Sequence, residues 1–249
     1  MPPMKLGRGL VLLLTLLATP AAAQSPAAWL IETQHAARGP LESRLEAKGL
    51  SRGRPVFIRI FKREHRLQLF MQRRDGRWVS FETYRICTWS GRLGPKLREG
   101  DGQSPEGFYV IGRRQLKPDS AYHRAFNLGY PNALERGLGR TGSFLMVHGD
   151  CVSIGCYAMT DAQITEIYGL VDAALNAGQP GVPVEAYPFA MTEENLRRAQ
   201  ASEWAPFWAN LREGWRVFEA TGRPAAAYAC GRRYGFSPAA GCRRIAPWP

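Results

Sequence analysis

A histidine and a cysteine lie eight positions apart in one glycine-bearing segment, which runs from His148 to Cys156. Gly149 follows the histidine directly, and Gly155 comes directly before the cysteine. A thiol becomes a good nucleophile when a neighbouring group takes its proton, and an imidazole in contact with it can do so. Glycine leaves room for backbone N–H groups to approach a reacting carbonyl group. The segment therefore predicts that Cys156 is a nucleophile and that His148 is its base.

Three other interpretations compete with this one. Cys156 could be a buried structural cysteine, and His148 could be a hydrogen-bonded core histidine. His148, Cys151 and Cys156 could also be zinc ligands, but zinc needs a fourth ligand or a supported open position. The other histidines, which show no paired metal spacing, are His35, His65 and His123. We expect no metal and no cofactor, since the sequence also lacks a phosphate-binding loop and a dinucleotide fingerprint.

The first 23 residues have the pattern of a secretory signal peptide. Lys5 and Arg8 form a positive region, residues 10–18 are apolar, and three alanines at 21–23 supply an A-x-A cleavage site. The apolar run is too short to span a membrane. The sequence predicts an exported, periplasmic protein with no transmembrane segment in its mature chain.

The chain carries a formal net charge of +12, which becomes +10 without Lys5 and Arg8. Such a basic balance is typical of proteins with anionic partners. Nucleic acid is not expected, because the basic residues are scattered, no RNA-binding signature is present and an exported protein rarely meets it. A solvated basic surface and an anionic cell-envelope polymer remain as interpretations.

The five cysteines lie after the predicted signal peptide, so an oxidising compartment would leave one thiol unpaired. Cys230 and Cys242 could close a small loop in the C-terminal tail. Cys87 could then pair with Cys151, which would leave Cys156 free. The connectivity cannot be deduced from the sequence, so other pairings stay open.

The first half of the chain predicts a short lead-in followed by an antiparallel meander. Residues 24–52 form the lead-in, with a helix from Leu41 that ends near Gly49. Alternating apolar residues then predict strands, with tight turns between them. These strands begin near Val56, Leu67 and Trp78. A long glycine- and proline-rich loop follows at 90–107, and such ordered loops often border functional sites.

The second half predicts further elements around the His148–Cys156 segment. Residues 117–142 read as loop-rich, and 144–147 read as a short buried strand that delivers His148. Thr160 and Gln163 form a capping box that starts a helix. Residues 182–187 predict one more strand, and the aromatic stripe of 204–218 predicts a helix packed on a neighbouring domain.

Several separated segments resemble one known family. These segments are His148-Gly149, then Ser153-Ile154-Gly155-Cys156, and upstream the stretch Ser104-Pro105-Glu106-Gly107-Phe108-Tyr109. They are similar, in order, to the motifs of the L,D-transpeptidase catalytic-domain family, and most of all to its murein L,D-transpeptidase-like branch. The resemblance covers roughly residues 53–190, with 191–249 as a helical C-terminal extension.

The resemblance implies a mainly β fold with packed helices, an α+β sandwich or barrel-like domain. It implies that Cys156 is the nucleophile and that His148 is the proton donor and acceptor. Backbone amides near Ser153, Gly155 and Cys156 would form the oxyanion hole. Family enzymes act on peptidoglycan stem peptides, where they attack the carbonyl on the L-centre of the third residue and expel D-alanine. An amine or water then resolves the thioacyl intermediate.

Two departures from the family pattern leave alternatives open. The inner histidine of the motif is Ile154 here, and the stretch from His148 to Cys156 is shorter than in many members. A hydrolase on the same bond, including one that releases a peptidoglycan-attached lipoprotein, is therefore an alternative. A non-catalytic basic wall-binding protein is another. The candidates for binding the substrate are Gly149, Lys96, Arg113, Arg114 and Arg140.

Overall fold

A computed structural model describes residues 25–246 of the 249-residue chain. The predicted signal peptide, residues 1–23, lies outside the described residues. Within the described range, no helix has the combined length and apolarity that a membrane span requires.

The described chain alternates strands and helices, in keeping with the predicted α+β class. The strands are β1 (Val56–Phe61), β2 (Arg66–Gln72), β3 (Trp78–Arg85), β4 (Thr88–Trp89), β5 (Gly107–Ile111), β6 (Leu116–Ser120), β7 (His123–Asn127), β8 (Met146–His148), β9 (Tyr157–Ala158), β10 (Val182–Tyr187), β11 (Tyr228–Cys230), β12 (Arg233–Gly235) and β13 (Arg243–Arg244). The helices are α1 (Pro26–Ala36), α2 (Leu41–Ala47), α3 (Ala133–Gly137), α4 (Asp161–Asn176), α5 (Glu193–Arg198) and α6 (Ala205–Thr221), with a 3₁₀ turn at Arg113–Gln115.

Two five-stranded sheets carry the domain. The first sheet has the order β3-β2-β1-β10-β5, in which β1 and β10 run parallel and the other neighbours run antiparallel. The second has the order β4-β9-β8-β7-β6, in which β8 and β9 run parallel. The predicted meander of β1, β2 and β3 is confirmed.

Helix α4 joins the two sheets. It begins after Thr160, whose hydroxyl accepts the Gln163 N–H at 3.3 Å while the Gln163 side chain accepts the Thr160 N–H at 3.3 Å. The predicted capping box is therefore confirmed. The buried stripe of α4 packs against strands of both sheets, and Ile164, Ile167 and Val171 are fully buried there. The helix start follows β9 closely, so this cap fixes the chain just beyond Cys156.

The first sheet is covered on both faces, because both sets of alternating side chains in β1 are buried. Val56, Ile58 and Ile60 belong to the core shared with α4. On the other face, the ring of Phe57 lies 5.3 Å from the ring of Phe218 in α6. The C-terminal extension is thus packed against a full face of the domain.

The aromatic stripe of α6 packs into a second hydrophobic core, as predicted. Trp208 and Leu211 are buried there together with Phe61, Phe108 and Tyr187 of the first sheet. Beyond Gly222 the extension stops being helical and forms a small sheet of order β12-β11-β13.

Two local expectations were wrong. Residues 117–142, read as loop-rich, contain β7, α3 and most of β6. Pro118 hides β6 in the sequence, and it is tolerated because β6 is an edge strand. Phe144, expected in a buried strand, is 71% exposed and has a left-handed φ of 52°, so the strand begins only at Met146.

Candidate active site

The parallel pairing of β8 with β9 sets the distance between the histidine and the cysteine. Val147 lies beside Tyr157 in this pair, and His148 lies beside Ala158. Val147 and Tyr157 are fully buried, and side chains alternate along a strand. His148 therefore lies on the face opposite to them. Cys156 comes directly before β9, and its Sγ lies 3.4 Å from the Met146 amide nitrogen.

Cys156 carries the free thiol among the described residues, and it is half-buried. Its Sγ accepts the Met146 N–H and lies 3.6 Å from the Phe144 carbonyl oxygen, to which the S–H donates. Burial raises the pKa of this thiol, while the Met146 N–H and the charge of Lys96 act against that increase. The thiol is consequently protonated near neutral pH and needs a base to become a nucleophile.

The imidazole of His148 is only 3% exposed and lies under the ring of Tyr122, at a centroid distance of 4.9 Å. Its Nδ1 lies 2.7 Å from the Gly149 carbonyl oxygen. A carbonyl oxygen only accepts, so we assign the proton to Nδ1 and a free lone pair to Nε2. Burial lowers the pKa of His148, although Gly149 and Asp150 partly oppose the shift. The imidazole is therefore neutral at neutral pH, as a general base must be.

The two side chains form a neutral pair. Over residues 25–246, no hydrogen bond joins the His148 imidazole to the Cys156 thiol, since each is bonded to backbone groups instead. Catalytic hydrogen bonds are often made only when substrate is bound. The structure therefore shows a neutral thiol and a neutral imidazole, the protonation states from which a proton transfer from sulfur to nitrogen would start.

Serine hydroxyls fix the backbone of the nucleophile. The Oγ atoms of Ser104 and Ser153 each donate to the Cys156 carbonyl oxygen at 2.8 Å. Ser153 has one hydroxyl proton, so its 2.7 Å contact with Ser90 Oγ must be donated by Ser90. The structure thus gives Ser153 an anchoring contact. Sequence reasoning missed the parts of Ser90 and Ser104, although Ser104 opened the motif that carried the family resemblance.

Glycine is required at positions 149 and 155 for two different physical reasons. Gly155 has a φ of 133°, a region that side chains rarely adopt. A Cβ on Gly149 would collide with the Asp161 carboxylate and would approach the Tyr122 carbonyl oxygen to 3.0 Å. Asp161 needs that space because its Oδ1 accepts the Asp150 N–H at 2.8 Å. Gly149 therefore packs against the start of α4.

A disulfide joins Cys87 to Cys151, in the middle of the segment, and a second joins Cys230 to Cys242. This is the connectivity that the sequence left as one possibility. A disulfide sulfur cannot serve as a thiolate ligand, so one of the three candidate zinc ligands is removed. The described residues hold no group of three or more His, Cys, Asp or Glu side chains arranged for a metal.

A cavity of about 360 Å³ is bordered by the two residues whose backbone contacts the thiol. It is lined by β6 residues together with Phe144 and Met146, which are the two residues that contact Cys156 Sγ. Three apolar side chains of this part of the chain are exposed: Phe144 is 71% exposed, Val152 51% and Ile154 88%. The cavity thus shares Phe144 and Met146 with the surroundings of the thiol.

The four basic candidates lie in different surroundings. Lys96 is 3% exposed and its Nζ bonds Asp101 and the Arg98 carbonyl oxygen, so its charge reaches the thiol from a buried position. The Arg140 guanidinium lies 5.4 Å from the ring centroid of Phe207 in α6.

Arg113 donates to Asn176 and to the Leu175 carbonyl oxygen at the end of α4, and the neighbouring Arg114 is exposed. In the described part of the chain, neither arginine contacts Cys156. Substrate binding by the four basic residues stays a prediction.

Comparisons with known proteins place these observations in a family context. Residues 55–229 match the YkuD family, described as the L,D-transpeptidase catalytic domain. The chain is 49% identical over 182 residues to "Putative L,D-transpeptidase YafK" of Escherichia coli K12, a match that covers 73% of this chain and 74% of that protein. The same identity and coverage hold for the protein of that name in E. coli O157:H7.

Among solved structures, the helical cell shape determining protein Pgp2 of Campylobacter jejuni (K307A mutant) aligns with a TM-score of 0.45 and 20% identity. That alignment covers 73% of this chain and 66% of Pgp2. Bd1075 of Bdellovibrio bacteriovorus aligns with a TM-score of 0.39 and 17% identity, over 66% of this chain and 58% of Bd1075.

Proposed function

Because this chain belongs to the L,D-transpeptidase catalytic-domain family, we propose that it is a periplasmic cysteine acyltransferase that acts on peptidoglycan stem peptides. The observation that carries the proposal is that β8, which ends at His148, pairs with β9, which begins directly after Cys156. The thiol there is free and half-buried, and the imidazole is buried and neutral. Each group is in the protonation state that the first step of acyl transfer requires.

In the first step, His148 Nε2 takes the thiol proton while Cys156 Sγ attacks the carbonyl carbon on the L-centre of the third stem residue. The tetrahedral oxyanion is stabilised by backbone N–H groups near Ser153, Gly155 and Cys156. The imidazolium then gives its proton to the nitrogen of the departing D-alanine as the C–N bond breaks. The product is a thioester on Cys156 and a neutral imidazole.

In the second step, the incoming nucleophile attacks the thioester carbonyl carbon while His148 takes its proton. The C–S bond then breaks, and the imidazolium returns a proton to the Cys156 sulfur, which restores the thiol. An amine of a second stem peptide gives a cross-link. Holding the Cys156 carbonyl by Ser104 and Ser153 keeps the sulfur in one place through both steps. No cofactor takes part in this sequence.

A second candidate is hydrolysis of the same thioester, with water in place of the amine. It is left open by Ile154, which stands where the family motif has its inner histidine and which is 88% exposed. With Ile154 there, the motif contains a single imidazole, and one neutral imidazole can activate water as readily as an amine. Release of a lipoprotein attached through this bond would be one such hydrolysis.

The exported location and the wall partner form part of the proposal. Support comes from the A-x-A pattern at 21–23 and from the basic formal charge of the whole chain, +12. A basic surface attracts a polyanionic envelope polymer over long range, and salt screens this attraction.

The test is a product analysis with the mature chain, residues 24–249, and its Cys156→Ala variant. Both are incubated with disaccharide tetrapeptides, with and without a second stem as amine acceptor, and the products are identified by mass spectrometry. New cross-links that need Cys156 support transpeptidation, and shortened stems without cross-links support hydrolysis. If the wild-type chain and the variant are equally inactive and still bind peptidoglycan, the wall-binding alternative replaces both.

A further inference from the structure

A buried ion pair lies between the C-terminal helix α6 and the loop 90–106. Lys62 and Glu106 are both fully buried, and Lys62 Nζ lies 3.0 Å from Glu106 Oε1. A buried charge is expensive unless it is paired and hydrogen-bonded, so every contact of this pair carries weight.

The lysine gathers the two arms of the loop. Its Nζ donates to the carbonyl oxygens of Arg92 at 2.8 Å, Ser104 at 3.0 Å and Gly94 at 3.2 Å. Arg92 and Gly94 belong to the outgoing arm, and Ser104 belongs to the returning arm. The position of Ser104 is therefore tied to the position of Lys62.

The returning arm contacts the nucleophile's chain at two points. Ser104 Oγ donates to the Cys156 carbonyl oxygen at 2.8 Å, and the Tyr157 hydroxyl donates to the Pro105 carbonyl oxygen at 2.7 Å. These contacts lie on the two residues that precede and begin β9. A displacement of the loop would therefore displace Cys156 and its sulfur.

The glutamate receives its remaining contact from the C-terminal extension. Glu106 Oε1 also accepts the Gly94 N–H at 2.7 Å, and Oε2 accepts the indole N–H of Trp208 at 2.8 Å. Trp208 is 3% exposed in α6. One turn earlier, the indole of Trp204 packs on Gly94 so closely that a Cβ there would approach its Nε1 to 2.7 Å.

We propose that Trp208 is a positioning residue for the nucleophile, acting through Glu106, Lys62 and Ser104 on the backbone of Cys156. The C-terminal extension is then part of the acyl-transfer machinery and not only a cover for the first sheet. The expected effect on turnover rests on the proposed function, whereas the expected effect on the reactivity of the thiol does not.

The loop also carries Lys96, whose charge favours the thiolate form of Cys156. Loss of the Trp208 N–H would loosen the loop and weaken that effect. The reactivity of the thiol should therefore change together with turnover, whereas a purely structural role for Trp208 would change only the unfolding temperature.

The experiment compares the mature wild-type chain with Trp208→Phe, which keeps an aromatic ring and removes the N–H. Trp215→Phe is the matched control, because Trp215 lies in the same helix and is partly buried. Within residues 25–246 its one hydrogen bond outside the helix ladder is made by its carbonyl oxygen, which any residue supplies, to Arg59. For each protein we would measure the rate of Cys156 alkylation by iodoacetamide against pH, thermal unfolding, and kcat and KM on a disaccharide tetrapeptide.

We expect Trp208→Phe to move the alkylation profile to higher pH and to lower kcat about tenfold with little change in KM, since small misplacements of a reacting group have large effects on rate. Trp215→Phe should match the wild-type profile. Ser104→Ala, at the other end of the connection, should reproduce the Trp208→Phe profile, and it keeps the test decisive if Trp208→Phe does not fold.

A wild-type alkylation profile in folded Trp208→Phe or Ser104→Ala would overturn the inference, even with a lowered unfolding temperature. A shifted profile in a chain that turns over no stem peptide would support the positioning role and count against the proposed function alone.

Discussion

Two segments meet at Cys156, and they are held in different ways. The loop 90–106 is fixed from within the core, through Lys62 and Glu106, which are fully buried. The segment 149–155 is held from outside the core, by the Cys87–Cys151 disulfide and by Asp161, and it includes Ile154, which is 88% exposed. We infer from this difference that the loop positions the sulfur, whereas the segment forms the surface that an incoming group would meet.

The largest expected effect comes from breaking the core attachment of the loop. Lys62→Met would leave the Glu106 carboxylate buried without its cation, and breaking a buried ion pair costs about 3–5 kcal/mol of stability. Chemical denaturation measures this loss. Arg77→Met is the matched control: Arg77 pairs with Asp75 at the surface, where solvent screens the charges, and we expect only a small fraction of that loss there. Similar losses in the two variants would remove the distinction between core and surface attachment.

The next effect comes from releasing the segment. Cys87→Ala/Cys151→Ala opens a disulfide with a sequence separation of 64, and Cys230→Ala/Cys242→Ala opens one with a separation of 12. Loop-closure entropy predicts that the first double variant loses about 1.5 kcal/mol more stability than the second.

Only the first double variant should also lower turnover, because Cys151 lies between His148 and Cys156. Thermal unfolding and stem-peptide assays on both double variants provide the measurement. Equal turnover by the two would show that the disulfide does not support the site.

The pH dependence separates a neutral pair from a preformed ion pair. Burial lowers the pKa of His148 and raises the pKa of Cys156. The base is lost as pH falls through the lowered pKa of His148, so kcat/KM should persist to a more acidic pH than an ordinary imidazole allows. Alkylation of Cys156 should rise only above the usual thiol range.

His148→Gln should remove the acidic limb and lower kcat by about 10²–10⁴-fold. An alkylation limb below the usual thiol range would contradict the neutral pair and indicate a thiolate stabilised by imidazolium.

The smallest effect on stability is expected at Ile154. Because its side chain is 88% exposed, Ile154→Thr should change the free energy of unfolding by less than about 0.5 kcal/mol. If the segment meets the incoming group, the ratio of cross-linked to hydrolysed product should still change. Val152→Thr, at 51% exposure in the same segment, is the control for general surface polarity. A product ratio that is identical in all three proteins would contradict this role of Ile154.

Much of this arrangement was predictable where a local pattern determines it. The Thr160 capping box, strand β10 and the strands β1 to β3 follow from caps, turns and alternation in the sequence. Strand β6 was missed because Pro118 normally argues against a strand, and only its edge position permits it.

The candidate pair His148 and Cys156 came from spacing, but its supports did not. The contacts of Ser104, Lys62 and Trp208 join residues separated by 52, 44 and 102 positions, and no local pattern predicts such pairings. The sequence likewise suggested that Gly149 leaves room for substrate. In the structure, the glycine is explained by the close packing of Asp161 against it.

The proposed function requires that acyl transfer pass through a thioester on Cys156. Its direct test is to mix the mature chain with a disaccharide tetrapeptide, quench with acid at short times, and determine intact mass and peptide masses. We predict an adduct on the peptide that contains Cys156, equal in mass to the donor without its terminal D-alanine, and no adduct in Cys156→Ala. An adduct on another residue, or turnover by Cys156→Ala at the wild-type rate, would show that Cys156 is not the acylated nucleophile.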